Sequence, residues 1–277
     1  MSGDPSGVSA LAGIRLVATD LDGTLLRGDG TVSDRSVAVL RAAVDAGIGI
    51  VFATGRPPRY MDHVRARTGI DGLMICGNGA LVWDPEAGEP VLVRGFGNGV
   101  VAGVVDRIRA ALPGVAFAAE QVRGLAHEHG YEPRAASPDI RRVVLSEVLH
   151  EPVLKLLVRG PDADLDRLRE VVAAAVGDEA EVTFSSTYAE PLLELSARGV
   201  DKGSALAAHA AGLGLQAAQV AAVGDMPNDV AMLRWAGTGV AVAGAHPDAL
   251  AAADRVTAGN DDDGVARLVE EILAAQR

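Results

Sequence analysis

Sulfur and positive charge are both scarce in this chain. Cys76 is the only cysteine among 277 residues. An internal disulfide framework is therefore excluded, and a reducing cytoplasm is the expected compartment. A small core side chain at a strand end is the expected role of that thiol. Lys and Arg number 25 against 37 Asp and Glu, a formal net charge of −12. That balance argues against a broad basic surface for nucleic acid, but it leaves room for a local cationic pocket that takes an anionic small molecule. No run approaches the roughly 18 apolar residues of a membrane span, because Gly, Arg or Asp interrupts each one. Residues 1–13 have neither a basic n-region nor an apolar h-region, so they read as a loose tail rather than a signal peptide.

What remains is ordinary globular composition, 49% hydrophobic and 22% charged, on a chain long enough for one large α/β domain or two smaller ones. Residues 14–20, 48–54 and 72–76 read as strands. Between them lie a helix capped by Ser33 and a second helix near 59–68. Continuous apolar strands alternating with helices predict a parallel sheet covered on both faces. From about residue 84 the order becomes β-α-β-β and then β-α-β, which predicts an α+β layer with an antiparallel sheet. The βα texture then returns. The predicted architecture is an α/β, doubly wound, Rossmann-like core in two parts, 1–83 and 191–277, interrupted by an inserted α+β domain over 84–190.

Four segments share one placement, at the end of a strand or the start of a helix. They are Asp20-Leu21-Asp22-Gly23-Thr24, Ala53-Thr54-Gly55-Arg56, Lys202-Gly203, and Gly224-Asp225-Met226-Pro227-Asn228-Asp229. Ligands of parallel sheets bind at the carboxyl ends of the strands. Residues i and i+2 on a strand point to one side, so Asp20 and Asp22 are expected to face a common spot. Two carboxylates that close resist joint ionisation unless a cation intervenes. The set suggests phosphoryl transfer. Asp20 is the candidate nucleophile, with Mg²⁺ expected between Asp20, Asp225 and the phosphate. Lys202, Thr54 and backbone amides such as that of Gly55 are expected to hold phosphate oxygens, and Asp22 to protonate the leaving group. Arg56 either holds the phosphoester or pairs with a core carboxylate.

With these motifs the chain resembles the haloacid dehalogenase (HAD) superfamily, in its Cof-like phosphatase branch with a type IIB cap. The resemblance runs from Asp20 through Asn78-Gly79-Ala80 to Asp225–Asp229 and the following Ala231-Met232-Leu233. It implies Asp20 as nucleophile and Asp22 as acid/base and main-chain metal ligand. Asp225 would ligate Mg²⁺, Thr54 and Lys202 would bind phosphate, and Asn228 would contact phosphate or substrate. Asp229 would support Lys202 or metal-bound water. The insertion would be the cap that reads the leaving group, with Glu120, Arg123, His127, His129, Tyr131 and Arg134 as candidates. The expected activity is Mg²⁺-dependent hydrolysis of small phosphorylated metabolites, sugar phosphates or phosphorylated cofactors, by a cytoplasmic monomer or weak homo-oligomer. Alternatives are a phosphomutase of the same superfamily and a catalytically silent phosphate-binding or regulatory relative. A receiver domain is disfavoured, being far shorter and lacking both the insertion and the Asp225–Asp229 motif.

Overall fold

β1 (Leu16–Thr19) and β2 (Gly49–Ala53) are apolar without alternation, and all but Gly49 is buried, as befits strands covered on both faces. The computed structural model describes residues 11–97, 99–133, 137–147, 149, 151–160, 164–185 and 191–277. Residues 1–10 of the expected tail and Arg134 lie outside them. Between β1 and β2 runs α1 (Asp34–Asp45), with Ser33 accepting the Ser36 amide at its N-cap as expected. Pro57 and Pro58 shape the chain after β2. Pro58–Tyr60 forms a 3-10 turn, so α2 covers Asp62–Thr68 and begins later than the apolar pattern suggests. β3 (Met74–Cys76), β4 (Leu81–Asp84) and β5 (Glu89–Val93) follow.

The inserted segment contains α3 (Val100–Ala111), β6 (Ala116–Gln121), β7 (Gly124–His127), β8 (Ile140–Arg142), β9 (Val153–Arg159), α4 (Leu165–Val176), β10 (Ala180–Thr183) and β11 (Leu192–Ala197). The chain then returns through α5 (Lys202–Gly212), β12 (Val220–Gly224), α6 (Val230–Trp235), β13 (Thr238–Val242), α7 (Pro247–Ala252), β14 (Arg255–Thr257) and α8 (Gly264–Ala275). At the start of α5, Asp201 accepts the Ser204 amide and Ser204 accepts the Asp201 amide, a reciprocal cap.

The described residues form two compact units, one within Met1–Leu92 and Asp201–Arg277, the other within Val93–Val200. In the first, eight strands lie in the order β14-β13-β12-β1-β2-β3-β4-β5. The pairs from β14 to β3 are parallel, and β4 turns back antiparallel on β3. In the second, the order is β10-β11-β9-β6-β7-β8, mainly antiparallel. The doubly wound core with an inserted α+β domain is therefore present, but its seams differ from 84 and 190. β4 and β5 stay on the large sheet. β11 belongs to the smaller one, where Glu194 and Ser196 alternate with Leu193 and Leu195 as an antiparallel strand requires. Among the described residues, no helix is long and apolar enough to cross a membrane.

Candidate active site

Register decides which side chains meet. Thr19 at the end of β1 lies level with Val223 of β12 on one side and Phe52 of β2 on the other. The next residues, Asp20, Gly224-Asp225 and Ala53-Thr54, therefore emerge at one edge of the sheet, where strands that began far apart in sequence stop together. The Asp20 amide continues the ladder by donating to the Val223 carbonyl at 2.9 Å, and the Thr54 amide donates to Ile75 at 2.8 Å.

Lys202 enters from the first turn of α5 and is completely buried. Its Nζ donates to Asp20 Oδ1 at 2.5 Å and to Asp229 Oδ1 at 2.7 Å. Asp229, also fully buried, uses Oδ2 to accept the Asp225 and Met226 amides, each at 3.0 Å. It thus closes the Gly224–Asp229 loop while orienting Lys202. Gly224 makes this possible, since a Cβ there would lie 2.5 Å from that of Asp229. Thr24 Oγ1 donates to Asp225 Oδ1 at 2.9 Å. Gly23, at φ +81°, lets the first loop pass over the other oxygen, because a Cβ there would be 2.4 Å from Asp225 Oδ2.

Oxygens of Asp20, Asp225 and Asp229 lie within 4.8 Å of one another. Ionised, these carboxylates carry three negative charges against the single positive charge of Lys202. Burial drives the Asp20 carboxyl well above its ordinary range, and Asp229 and Asp225 push it further while Lys202 opposes them. Burial and Asp229 likewise push Asp225 up to about 7, against the hydrogen bond from Thr24. Burial disfavours the Lys202 ammonium, yet Asp20 and Asp229 outweigh it and hold the amine above the ordinary lysine value. Hard oxygen donors with two surplus negative charges fit a divalent cation.

Asp22 departs from the expected arrangement. β1 ends at Thr19, so the alternation of a strand no longer governs residue 22. The Asp22 side chain is 50% exposed and is gripped by Arg56, with Nε on Oδ2 at 2.7 Å and Nη2 on Oδ1 at 2.5 Å. Of the two roles open to Arg56, the structure shows pairing with a carboxylate, which raises the already high pKa of the guanidinium through the Asp22 hydrogen bonds. Thr54 is buried, and its Oγ1 accepts the Arg56 amide at 3.1 Å. Gly55 occupies the same turn, half-buried. Asn228 Nδ2 donates to Asn78 Oδ1 at 3.1 Å, while Asn228 Oδ1 is buried with no hydrogen-bond partner among the described residues. Thr24 and Asn78 are the residues that motif reading undervalued. Asn78 holds φ +57° and donates its amide to the Thr54 carbonyl, and an Asn-Gly pair directly after a strand is the signal that marks such a turn.

In the inserted domain, Glu120, buried on β6, stands opposite Leu125, and His127 stands opposite Ala118. Cross-strand partners share a face, so Glu120 and His127 lie on one side of that sheet. Lys155 is opposite Glu120 and Ser196 is opposite Lys155, which adds both to the same face, and Lys155 pairs with Glu194 at 3.2 Å. Tyr131 is buried against Ala116, Ala118, Leu125 and Leu157, under the Arg159 guanidinium at 4.9 Å. His129 falls beyond the end of β7 and is exposed, so it does not share the strand face with His127. Arg123 is exposed in the β6–β7 turn.

Fold and site together define a hydrolase with a Rossmann-like core, a carboxylate–lysine centre at its strand ends and an inserted α+β domain. The chain belongs to the haloacid dehalogenase-like hydrolases, whose family description matches residues 17–269. It is 34% identical over 246 residues to the HMP-PP phosphatase of Enterobacter sp. (strain 638), covering 86% of this chain and 87% of that protein. It is 29% identical over 264 residues to the 5-amino-6-(5-phospho-D-ribitylamino)uracil phosphatase YcsE of Bacillus subtilis (strain 168), covering 92% and 94%. A crystal structure of a haloacid dehalogenase-like hydrolase from Bacteroides thetaiotaomicron superposes with a TM-score of 0.76 at 27% identity, covering 94% of this chain and 99% of that one.

Proposed function

We propose that the protein is a Mg²⁺-dependent phosphatase of small phosphorylated metabolites, with Asp20 as the nucleophile. The observation that carries this reading is Lys202, buried between Asp20 and Asp229 with Asp225 alongside. Such a centre places one nucleophilic carboxylate beside a fixed positive charge and two further carboxylates. Relatives named as phosphatases along most of the chain support it.

In this mechanism an oxygen of Asp20 attacks phosphorus, the ester P–O bond breaks, and an aspartyl-phosphate forms. Asp22 gives its proton to the leaving alkoxide. It then takes a proton from water, which attacks the phosphorus of the aspartyl-phosphate, frees inorganic phosphate and restores Asp20. Lys202 offsets charge on the phosphate, and Thr54, the Gly55 amide and Asn228 hold its oxygens. Mg²⁺, held by Asp20, Asp225 and the main-chain carbonyl of Asp22, would neutralise the repulsion between phosphate and carboxylates. Asp229 keeps Lys202 aimed. Arg56 pairs with Asp22 while that carboxylate is ionised, and contacts the phosphoester once Asp22 has taken up a proton and is released. Recognition of the leaving group falls to the inserted domain, with Glu120, His127, His129 and Arg134 as candidates, whereas Tyr131 is taken up by an apolar cluster.

The test is release of phosphate from p-nitrophenyl phosphate and a broad panel of metabolite phosphates. Hydrolysis should stop with EDTA, return with Mg²⁺ and be absent from folded Asp20→Asn protein. Full Mg²⁺-dependent activity in pure Asp20→Asn would sink the nucleophile assignment. No release from any compound would favour a catalytically silent relative.

A further inference from the structure

The turn after β3 carries no charge, yet three of the four motifs rest against it. Gly77, Asn78 and Gly79 form a single 3-10 turn in which all three residues are buried. The Gly77 amide donates to the Arg56 carbonyl and the Asn78 amide to the Thr54 carbonyl, each at 3.0 Å. Backbone bonds thus fasten the turn to the second motif. Gly79, at φ +95°, approaches the third so closely that a Cβ there would lie 2.2 Å from the Asp201 carbonyl oxygen, just before Lys202. Asn78 reaches the fourth motif with its side chain, where Oδ1 accepts from Asn228 Nδ2 at 3.1 Å. Both amides are buried, Asn78 at 3% and Asn228 at 6% exposure.

An asparagine at residue 78 answers two demands. Its φ of +57° lies in the left-handed region that Gly and Asn tolerate. Glycine would meet that demand with less strain, so what asparagine adds is its side chain, and with it an acceptor for Asn228. The cost falls on the partner. With Nδ2 held by Asn78, the Asn228 Oδ1 is buried with no hydrogen-bond partner among the described residues, an arrangement that is disfavoured in itself. Asn228 would not hold this orientation on its own account. Turning its amide over would set Oδ1 against Asn78 Oδ1, acceptor against acceptor.

We propose that Asn78 is a positioning residue, whose Oδ1 locks the Asn228 amide so that the second N–H of Nδ2 is held ready for a phosphate oxygen. An amide nitrogen has two hydrogens to give, and Asn78 takes one of them. The inference rests on the reading of Asn228 as a phosphate contact in the proposed phosphatase. Asn78 acts only through Asn228.

Asn78→Gly isolates the side chain, because glycine adopts the same φ and keeps both backbone bonds. With p-nitrophenyl phosphate and Mg²⁺, kcat/KM should fall about tenfold in Asn78→Gly and in Asn228→Ala, the loss of one well-placed contact. The double variant should fall no further than the weaker single variant, because members of one hydrogen-bonded unit do not add. Affinity for inorganic phosphate in Mg²⁺, read by calorimetry, should follow the same pattern. A merely structural Asn78 would lower the melting temperature and leave the two losses additive. Additive losses, or wild-type behaviour of Asn78→Gly, overturn the proposal. Wild-type behaviour of Asn228→Ala overturns it too and also removes Asn228 from the phosphate site. If the wild type neither hydrolyses p-nitrophenyl phosphate nor binds phosphate, the phosphatase reading fails separately, and NMR of the Asn228 side-chain amide decides the positioning. Its signal, identified by its loss in Asn228→Ala, should be protected from solvent exchange in the wild type and should shift and exchange faster in Asn78→Gly. An unchanged signal would refute the lock.

Discussion

Asp225→Asn should make the metal-free protein more stable while removing its response to Mg²⁺. An ordinary aspartate titrates near 4, whereas burial and Asp229 push Asp225 up to about 7. The folded state therefore holds this proton more tightly than the unfolded chain does. Between about pH 4 and pH 7 the native protein binds more protons, so its stability falls as pH rises through that window. At about 1.36 kcal/mol per pH unit, ionising Asp225 costs about 4 kcal/mol at most, and relaxation and water entry bring the expected cost nearer about 2 kcal/mol. Asparagine removes that charge and keeps an oxygen in place of Oδ1, which accepts from Thr24 Oγ1 at 2.9 Å. At about 2–4 °C per kcal/mol for a unit of this size, Asp225→Asn should melt about 4–8 °C higher than wild type in EDTA near pH 8. The gap should close near pH 4, where Asp225 is already protonated. Added Mg²⁺ should raise the wild-type melting temperature and leave the variant unmoved. A variant that melts at or below wild type in EDTA near pH 8 would refute the claim that this carboxylate is held against its own electrostatics.

The opposite sign is expected at Lys202. Lys202→Met strands Asp20 and Asp229 without their ammonium, and removing one partner from a buried pair costs about 3–5 kcal/mol. Urea denaturation in EDTA near pH 8 should show a loss of that order, and a loss below about 1 kcal/mol would contradict it. Arg56→Lys keeps the charge but loses the fork on Asp22, so kcat should drop about tenfold or more with an unchanged melting temperature. An unaffected kcat would show the fork to be idle. Burial pushes the Cys76 thiol up to about 12, so native protein should fail to react with a disulfide reagent near pH 8 and should react fully on unfolding. Rapid native labelling would contradict the burial.

The parallel core was legible because its strands advertise themselves. Strands such as 16–19 and 220–224 are buried on both faces and read as unbroken apolar runs, and the chemistry sits where those runs stop. Asp20, Thr54 and Asp225 could be singled out on that ground, and Lys202 and Asp229 by their places at the start of a helix and in the loop after a strand. Less legible were features set by partners remote in sequence. β5 looks like part of the insertion, yet it extends the large sheet beyond β4, because strand membership depends on which edge is free. The run Asp261-Asp262-Asp263 lies just before α8 with Asp261 and Asp262 exposed. Asp261 also accepts the Gly28 amide at 2.9 Å, and Asp263 pairs with Arg27 at 3.0 Å. Nothing in the local sequence announces these contacts to the loop after the first motif. Tyr131 reads as a polar contact for substrate but packs into an apolar cluster, which no local pattern discloses.

Asp20 and Asp22 are two residues apart, yet burial gives them different freedoms. Asp20 continues the β-ladder through its amide and sits beside an ammonium with no solvent exposure. Any swing of that carboxylate leaves Lys202 facing Asp229 alone in a dry interior, at a cost of several kcal/mol. Asp22 lies past the strand end, half in solvent, and its ion pair with Arg56 is of the exposed kind, typically worth about 0–1 kcal/mol. That pair can open for a fraction of the free energy needed to dislodge Asp20. A nucleophile benefits from a fixed position relative to phosphorus, whereas a group that delivers a proton to one oxygen and later takes one from water must move. The chain assigns the rigid environment to the first carboxylate and the yielding one to the second, simply by ending the strand at Thr19.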